Sequence, residues 1–205
     1  MPQPRKNYIR REALFFKLER MNQYAVILVK GGAGTGKTTL ITSYAKEVGI
    51  SDLKWLSLDE SCNHVFMFWS YFIEAVSQYL GATREEFISW YGENFQKNKV
   101  ERLLTLLINQ LKIESDLYIV LDDFHHVTDG FLIRTLDFFI KNMPEQLHLI
   151  LLTRHDPLLY LGALQMEGRL LVLDEHDLKL SPEAGMRFLV DTLGLPFRQE
   201  TLQWM

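Results

Sequence analysis

The segment Gly31-Gly32-Ala33-Gly34-Thr35-Gly36-Lys37-Thr38-Thr39 constrains this chain more than any other stretch of it. It follows the apolar run Val26–Lys30 and leads into a segment, Lys37 to Val48, with helical apolar spacing. Glycines tolerate positive φ and let successive backbone N–H groups converge on one concavity. That concavity faces the positive end of the helix behind it, where an anion is stabilised. Every fixed position of G-x-x-x-x-G-K-[ST] is matched, so the expected occupant is the phosphate chain of a nucleotide. Lys37 is assigned to the β- and γ-phosphates, the Thr38 hydroxyl to Mg²⁺, and Thr39 to the surroundings of the α-phosphate.

A strand–loop–helix unit of this kind needs a sheet around it. Tyr24–Val29, Lys54–Leu58, Leu117–Leu121, His148–Leu152 and Arg169–Leu173 read as strands. The runs VILV, YIVL and LILL are apolar without alternation, the mark of strands buried on both faces. Between them lie helical patterns: Trp69, Phe72, Ile73, Val76 and Leu80; Val100, Leu103, Leu104, Leu107, Ile108 and Leu111; and Leu132, Leu136, Phe139 and Ile140. Thr83 to Asn98 is less regular and reads as a short helix and a loop. The expected fold is therefore α/β, of the P-loop NTPase class, with a mostly parallel five-stranded sheet and helices on both faces. Ser181-Pro182 starts a further helix, to about Thr192, by serine capping and a first-turn proline. Residues 1–175 are read as the ATPase domain, and 176–205 as the start of a following helical or winged-helix region.

A triphosphate with its metal needs a carboxylate at the end of another buried strand, expected beside the first. Leu117–Asp123 supplies it. Asp122 is the expected Mg²⁺ ligand, and Asp123 the group that polarises the attacking water. His125 and His126 follow; without a third ligand at suitable spacing they do not read as zinc ligands, and His125 is given a hydrogen-bonding role near the site. His148–Leu152 runs into Thr153-Arg154, and Arg154 is placed to touch the γ-phosphate and so tell ATP from ADP.

The 205 residues are 47% hydrophobic and 23% charged, ordinary for a globular chain long enough to bury a core. A net charge of -4 argues against nucleic-acid binding by this domain. Arg5, Lys6, Arg10 and Arg11 form a local basic cluster that reads as solvated. Cys62 is the single cysteine, so no intrachain disulfide forms. No apolar stretch approaches the ~20 residues that span a bilayer, and neither a signal peptide nor a membrane partner is expected. The expected location is the cytoplasm.

The motifs together resemble the signal-transduction ATPases called STAND proteins, most closely the nucleotide-binding domain of MalT-like, large LuxR-type transcriptional regulators. The resemblance runs nearly the length of the chain. Ile9-Arg10-Arg11-Glu12-Ala13-Leu14 is similar to the family's V-x-R-x-x-L segment, GGAGTGKTTL to its PAGYGKTTL, and Trp55–Glu60 with Asn63 to its W-x-S-L-D-E-x-D-N. Leu121–His125 resembles its acidic DDYH motif, Leu152-Thr153-Arg154 its sensor strand, and Leu178–Ser181 its LRFT segment, with the Glu183-Ala184 pair one residue early. Gly194-Leu195-Pro196 reads as an interdomain turn. The resemblance implies adenine as the base, with Arg11 beside it, and a slowly hydrolysing regulatory switch. ADP holds a closed monomer; inducer and ATP open it and drive self-association; hydrolysis resets it. DNA would be met only through domains absent from this chain. The aromatic residues of Phe66–Phe72 read as core. Against this stand a steady-turnover ATPase or kinase, for which no LSGGQ run or arginine-rich lid is present, and a non-hydrolysing nucleotide-binding module.

Overall fold

Three apolar runs become the middle of one sheet. The computed structural model describes residues 8–81 and 99–180, together with residues 2, 89 and 185. The strands are β1 (Val26–Lys30), β2 (Leu53–Ser57), β3 (Leu117–Asp122), β4 (Leu147–Thr153) and β5 (Leu170–Leu173). They form one five-stranded sheet in the order β2-β3-β4-β1-β5, and all four pairings are parallel. β1, β3 and β4, the continuous apolar runs, are the inner strands, and every residue of β4 is buried. β2 and β5, at the edges, are only half-buried. This is what burial on both faces predicts for inner strands.

The order corrects one expectation. The strand carrying Asp122 is not beside the strand that enters the glycine loop; β4 lies between them. Parallel strands are joined by crossovers, and a crossover leaves room for a third strand to enter.

Helices cover both faces. α1 (Glu12–Leu18) and α2 (Lys37–Val48) lie on one side, and their buried residues Leu14, Phe15, Leu18, Leu40 and Ile41 share a core with Ile27, Val29, Ile150 and Leu152. On the other side lie α3 (Val65–Val76), α4 (Val100–Gln110), α5 (Gly130–Asn142) and α6 (Gly162–Met166), packed on Leu28, Ile119, Leu121, Leu149 and Leu151. Adjacent strand residues thus feed opposite cores, as a period of two requires. Phe68, Trp69 and Phe72 are fully buried beside Phe139, whose ring centroid lies 5.2 Å from that of Trp69 and 5.0 Å from that of Phe72. These three are core, as read; of the other aromatic residues in Phe66–Phe72, Phe66 is partly buried against the core and Tyr71 is exposed. Leu80 falls outside α3, in a bridge to Leu111.

α7 (Glu175–Leu178) closes the described chain beside α1. Asp174 caps it by accepting from the His176 and Asp177 N–H groups. The elements expected over Thr83–Asn98 and Ser181–Thr192, and the turn at Gly194–Pro196, fall outside the described residues.

Candidate functional site

The parallel register sets the chemistry along one edge. Lys30 pairs with Thr153, and Leu121 with Leu151, so β1, β3 and β4 end at nearly the same level. The Gly31 N–H then bonds the Thr153 carbonyl at 3.1 Å, which ties the start of the glycine loop to the end of β4. Gly34 and Gly36 adopt φ of 79° and 85°. Side chains rarely take that conformation, so both glycines are required there. A Cβ on Gly31 would stand 2.9 Å from both Leu178 Cδ1 and Thr35 Oγ1, so a larger residue here requires those side chains to shift. Gly36 is the left-handed cap from which α2 starts at Lys37.

Lys37 reaches back over the loop: its Nζ donates to the Gly31 carbonyl at 2.6 Å and the Gly32 carbonyl at 2.9 Å. Partial burial lowers its pKa, opposed by the charge of Asp123 and helped by that of Arg154. Thr35 Oγ1 donates to the Gly32 carbonyl at 2.9 Å and stiffens the same turn. Gly32, Ala33 and Gly34 form the outer rim, and Thr39 the first turn of the helix behind it.

Thr38 and Asp122 meet. The hydroxyl lies 3.2 and 3.4 Å from the two carboxylate oxygens. The glycine loop makes this possible: leaving β1, it brings Thr38, the second residue of α2, to the end of β3. Burial raises the Asp122 pKa, and the neighbouring charge of Asp123 raises it further. A half-buried carboxylate disfavoured as an anion, beside a hydroxyl oxygen, suits a hard divalent cation such as Mg²⁺. Asp123 follows in the left-handed conformation, φ 56°, the one non-glycine residue with positive φ among those described. Its own N–H bonds back to Asp122 Oδ1 at 3.0 Å. The reversal leaves the Asp123 carboxylate exposed at the edge.

Arg154 is the first residue past β4 and is exposed. Its charge acts on Lys37 and on His125. His125 is nearly buried, and its Nδ1 has no hydrogen-bond partner among the described residues; Asp123 Oδ1 stands off at 3.7 Å. Burial, then Arg154, lowers its pKa, which favours the neutral ring. The His126 and His155 rings lie 4.4 and 5.9 Å from it. Among the described residues no group of three or more His, Cys, Asp or Glu is placed to hold a metal ion.

A cleft of about 210 Å³ opens beside the loop, walled by Tyr8, Arg11, Phe15, Thr39, Ser43 and Leu180 among others. Arg11 does not belong to a solvated basic patch. Its Nη2 donates to the Asp177 and Lys179 carbonyls, both at 2.8 Å, and burial lowers its pKa. Lys17 pairs with Asp177 at 2.6 Å, so α1 and α7 are pinned twice. Arg10 does stay outside, paired with Glu47 at 2.7 Å, while Arg5 and Lys6 lie outside the described residues. Asn63 serves the scaffold: its Oδ1 accepts from Thr128 N–H at 2.8 Å and Asp129 N–H at 2.7 Å, joining the loop after β2 to the one after β3.

The sequence reading did not single out Ser43. Its signal was the helix face it shares with Gly36, Thr39 and Leu40, all of which line the cleft.

Comparison with known proteins agrees with this geometry. The family profile described as AAA ATPase domain matches residues 9–152. Among solved structures, the chain is similar to a Walker-type ATPase of Pyrococcus abyssi, with 14% identity and a TM-score of 0.55, over 98% of this chain and 63% of that one. It is also similar to a Signal Transduction ATPase with Numerous Domains (STAND) protein with a tetratricopeptide repeat sensor from Pyrococcus horikoshii, with 18% identity and a TM-score of 0.59, over 97% of this chain and 27% of that one. The Drosophila ORC bound to DNA matches at 12% identity and a TM-score of 0.51, over 80% of this chain and 87% of that one. At such identities the likeness concerns the fold alone, and the chain spans only part of the first two proteins. Among the described residues no helix is long and apolar enough to cross a membrane.

Proposed function

Since this chain belongs to the AAA ATPase domain family, we propose that it is the ATP-binding, slowly hydrolysing switch domain of a STAND-type signal-transduction ATPase, in a MalT-like, large LuxR-type transcriptional activator. One observation favours the switch over the steady-turnover enzyme. The wall of the cleft beside the glycine loop includes Arg11 and Leu180, and Arg11 holds the carbonyls of Asp177 and Lys179. The site that takes the nucleotide thus shares a wall with the segment that leads away from the sheet. A ligand biases a conformational equilibrium only through contacts that differ between the states. Contacts at residues 177–180 can differ in that way.

The roles follow from placement. The loop amides of Gly31–Gly36 and Lys37 would hold the phosphates, Thr38 and Asp122 the Mg²⁺, and Thr39 and Arg11 the nucleoside side. The metal supplies charge neutralisation across the triphosphate. Asp123 would orient and polarise the attacking water, and Arg154 would distinguish ATP from ADP. Residues 1–175 act as the ATPase unit, and 176–205 lead to the next region. ATP favours an open form that self-associates, ADP a closed one, in the cytoplasm, with DNA contacted by other domains.

The test is to purify the protein, release and identify any retained nucleotide, and measure turnover with Mg²⁺. The expected result is a retained adenine nucleotide and turnover well under about 1 per second, the floor for kinase-like enzymes. Turnover of about 1–100 per second would replace the switch by a steady-turnover enzyme. Binding without hydrolysis would leave a nucleotide-binding module, and no binding of any nucleotide would end the reading.

A further inference from the structure

Ser43 sits on α2, one helical turn past Thr39 and about 6 Å further along the axis. It is 1% exposed, and its Oγ is buried with no hydrogen-bond partner among the described residues. A serine inside a helix ordinarily donates to the carbonyl four residues back. Here that carbonyl, on Thr39, already receives the Thr42 hydroxyl at 3.2 Å, and Thr42 also donates to the Thr38 carbonyl at 2.8 Å. The neighbouring hydroxyl is thus satisfied by the helix, and that of Ser43 is not. A buried polar group without a partner is costly, and native proteins keep few of them.

The location gives the hydroxyl a use. Ser43 lines the cleft beside the glycine loop, together with Gly36, Thr39 and Leu40 from its own helix face. The same cleft is lined by Ile9, Phe15 and Leu180, apolar side chains suited to a flat ring, together with Tyr8 and Arg11. Phosphates held at Gly34–Lys37 would leave the base at this end of the cleft. An apolar slot with a few placed polar groups is the usual form of a small-molecule site, in which the polar groups set specificity.

We propose that Ser43 is the specificity-determining contact for the base: its hydroxyl is the hydrogen-bond partner of a purine ring seated between α2 and the Ile9–Phe15 wall. The inference rests on the nucleotide-binding role proposed above and adds to it the group that reads the ring. It makes an asymmetric demand on mutation. In the free protein, removing the hydroxyl removes an unsatisfied group and does not lower stability. In the bound protein, it removes a contact.

The test uses the full chain with Ser43→Ala and Ser43→Cys, the second keeping the volume with a poor donor. Calorimetry is run with ATP, 2′-deoxy-ATP and tripolyphosphate, and thermal melting with and without ATP. The expected result is a melting temperature of the free variants equal to or above wild type, and ATP and 2′-deoxy-ATP bound roughly three- to tenfold more weakly. Tripolyphosphate binding is unchanged. If the loss falls on ATP but not on 2′-deoxy-ATP, the hydroxyl meets the ribose and the base assignment is overturned. Equal binding of both nucleotides by wild type and variants overturns it too, as does a fall in the stability of the free variants. If the wild-type protein binds tripolyphosphate and no nucleotide more tightly, or binds none of the three, the nucleotide reading itself fails, which is a separate outcome.

Discussion

The Thr38 hydroxyl lies 3.2 Å from a carboxylate oxygen of Asp122, although the strand entering the glycine loop and the strand ending in Asp122 are not neighbours. Residues 84 apart in the chain are joined over the end of β4. Asp122→Ala is expected to keep much of the nucleotide binding while weakening the Mg²⁺ enhancement by about tenfold or more, the equivalent of ~1.4 kcal/mol. Titrations with and without Mg²⁺ check this, and an unchanged metal response counts against the role. Because burial disfavours this carboxylate as an anion, the metal-free variant melts no lower than wild type at neutral pH.

Lys37 donates to the carbonyls of Gly31 and Gly32 from inside the loop. Lys37→Ala is expected to weaken ATP binding by about 10- to 100-fold, the range for hydrogen bonds to charged groups. Affinity equal to wild type would mean that phosphates do not sit here.

Arg154 stands just past β4, close enough for its charge to depress the pKa of both Lys37 and His125. Arg154→Ala is expected to narrow the ATP-over-ADP preference by about tenfold. The ratio of the two dissociation constants is the measurement, and its preservation would free Arg154 of the sensor role.

Trp69 is fully buried, and its Nε1 donates to Thr135 Oγ1 at 2.9 Å; Thr135 donates in turn to the Leu132 carbonyl at 2.7 Å. Thr135→Val keeps the volume and strands the indole N–H. A loss of about 1–3 kcal/mol is expected in denaturant unfolding, with no change in nucleotide affinity.

Asp137 accepts from the Tyr160 N–H at 2.9 Å, yet burial raises its pKa above the ordinary carboxylate value. The folded state therefore holds this proton more tightly than the unfolded state does. Its contribution to stability is fully present below the unfolded pKa and is lost as pH rises through the folded one. Asp137→Asn keeps the acceptor and removes the charge. At neutral pH it is expected to be more stable by less than about 1 kcal/mol, since solvent screens a partly exposed group. A melting series from pH 4 to 7 shows the gap to wild type opening as pH rises. A constant gap would assign the effect to something other than this proton.

Much of this arrangement was legible in the sequence. The runs VILV, YIVL and LILL marked the inner strands because residues buried on both faces cannot alternate in polarity. Helix α2 was readable from Lys37 to Val48, since glycine closes both of its ends. Strand order was not readable: it depends on which crossover passes over which neighbour, and nothing in the YIVL run says that LILL will lie between it and VILV. The place of Asp122 at the end of β3 was readable nonetheless, because the end of a strand is a local property. Arg11 was harder. Its partners are carbonyls 166 and 168 residues away, and carbonyls carry no sequence signature. Ser43 was invisible for a related reason: what distinguishes it from Thr42 is which hydroxyl takes a shared acceptor.

The clasp between Arg11 and the carbonyls of Asp177 and Lys179 makes the cleft beside the glycine loop a seam between residues near the start and the end of the described chain. One bank is anchored at Tyr8–Phe15 and the other at Leu178–Leu180, with Leu178 against Gly31 as the stitch at the bottom. A tug on the backbone beyond Leu180 would reach the guanidinium of Arg11 before it reached any strand. Shortening the protein from either side, past Arg11 or before Lys179, would unpick the pocket while leaving the sheet sewn together.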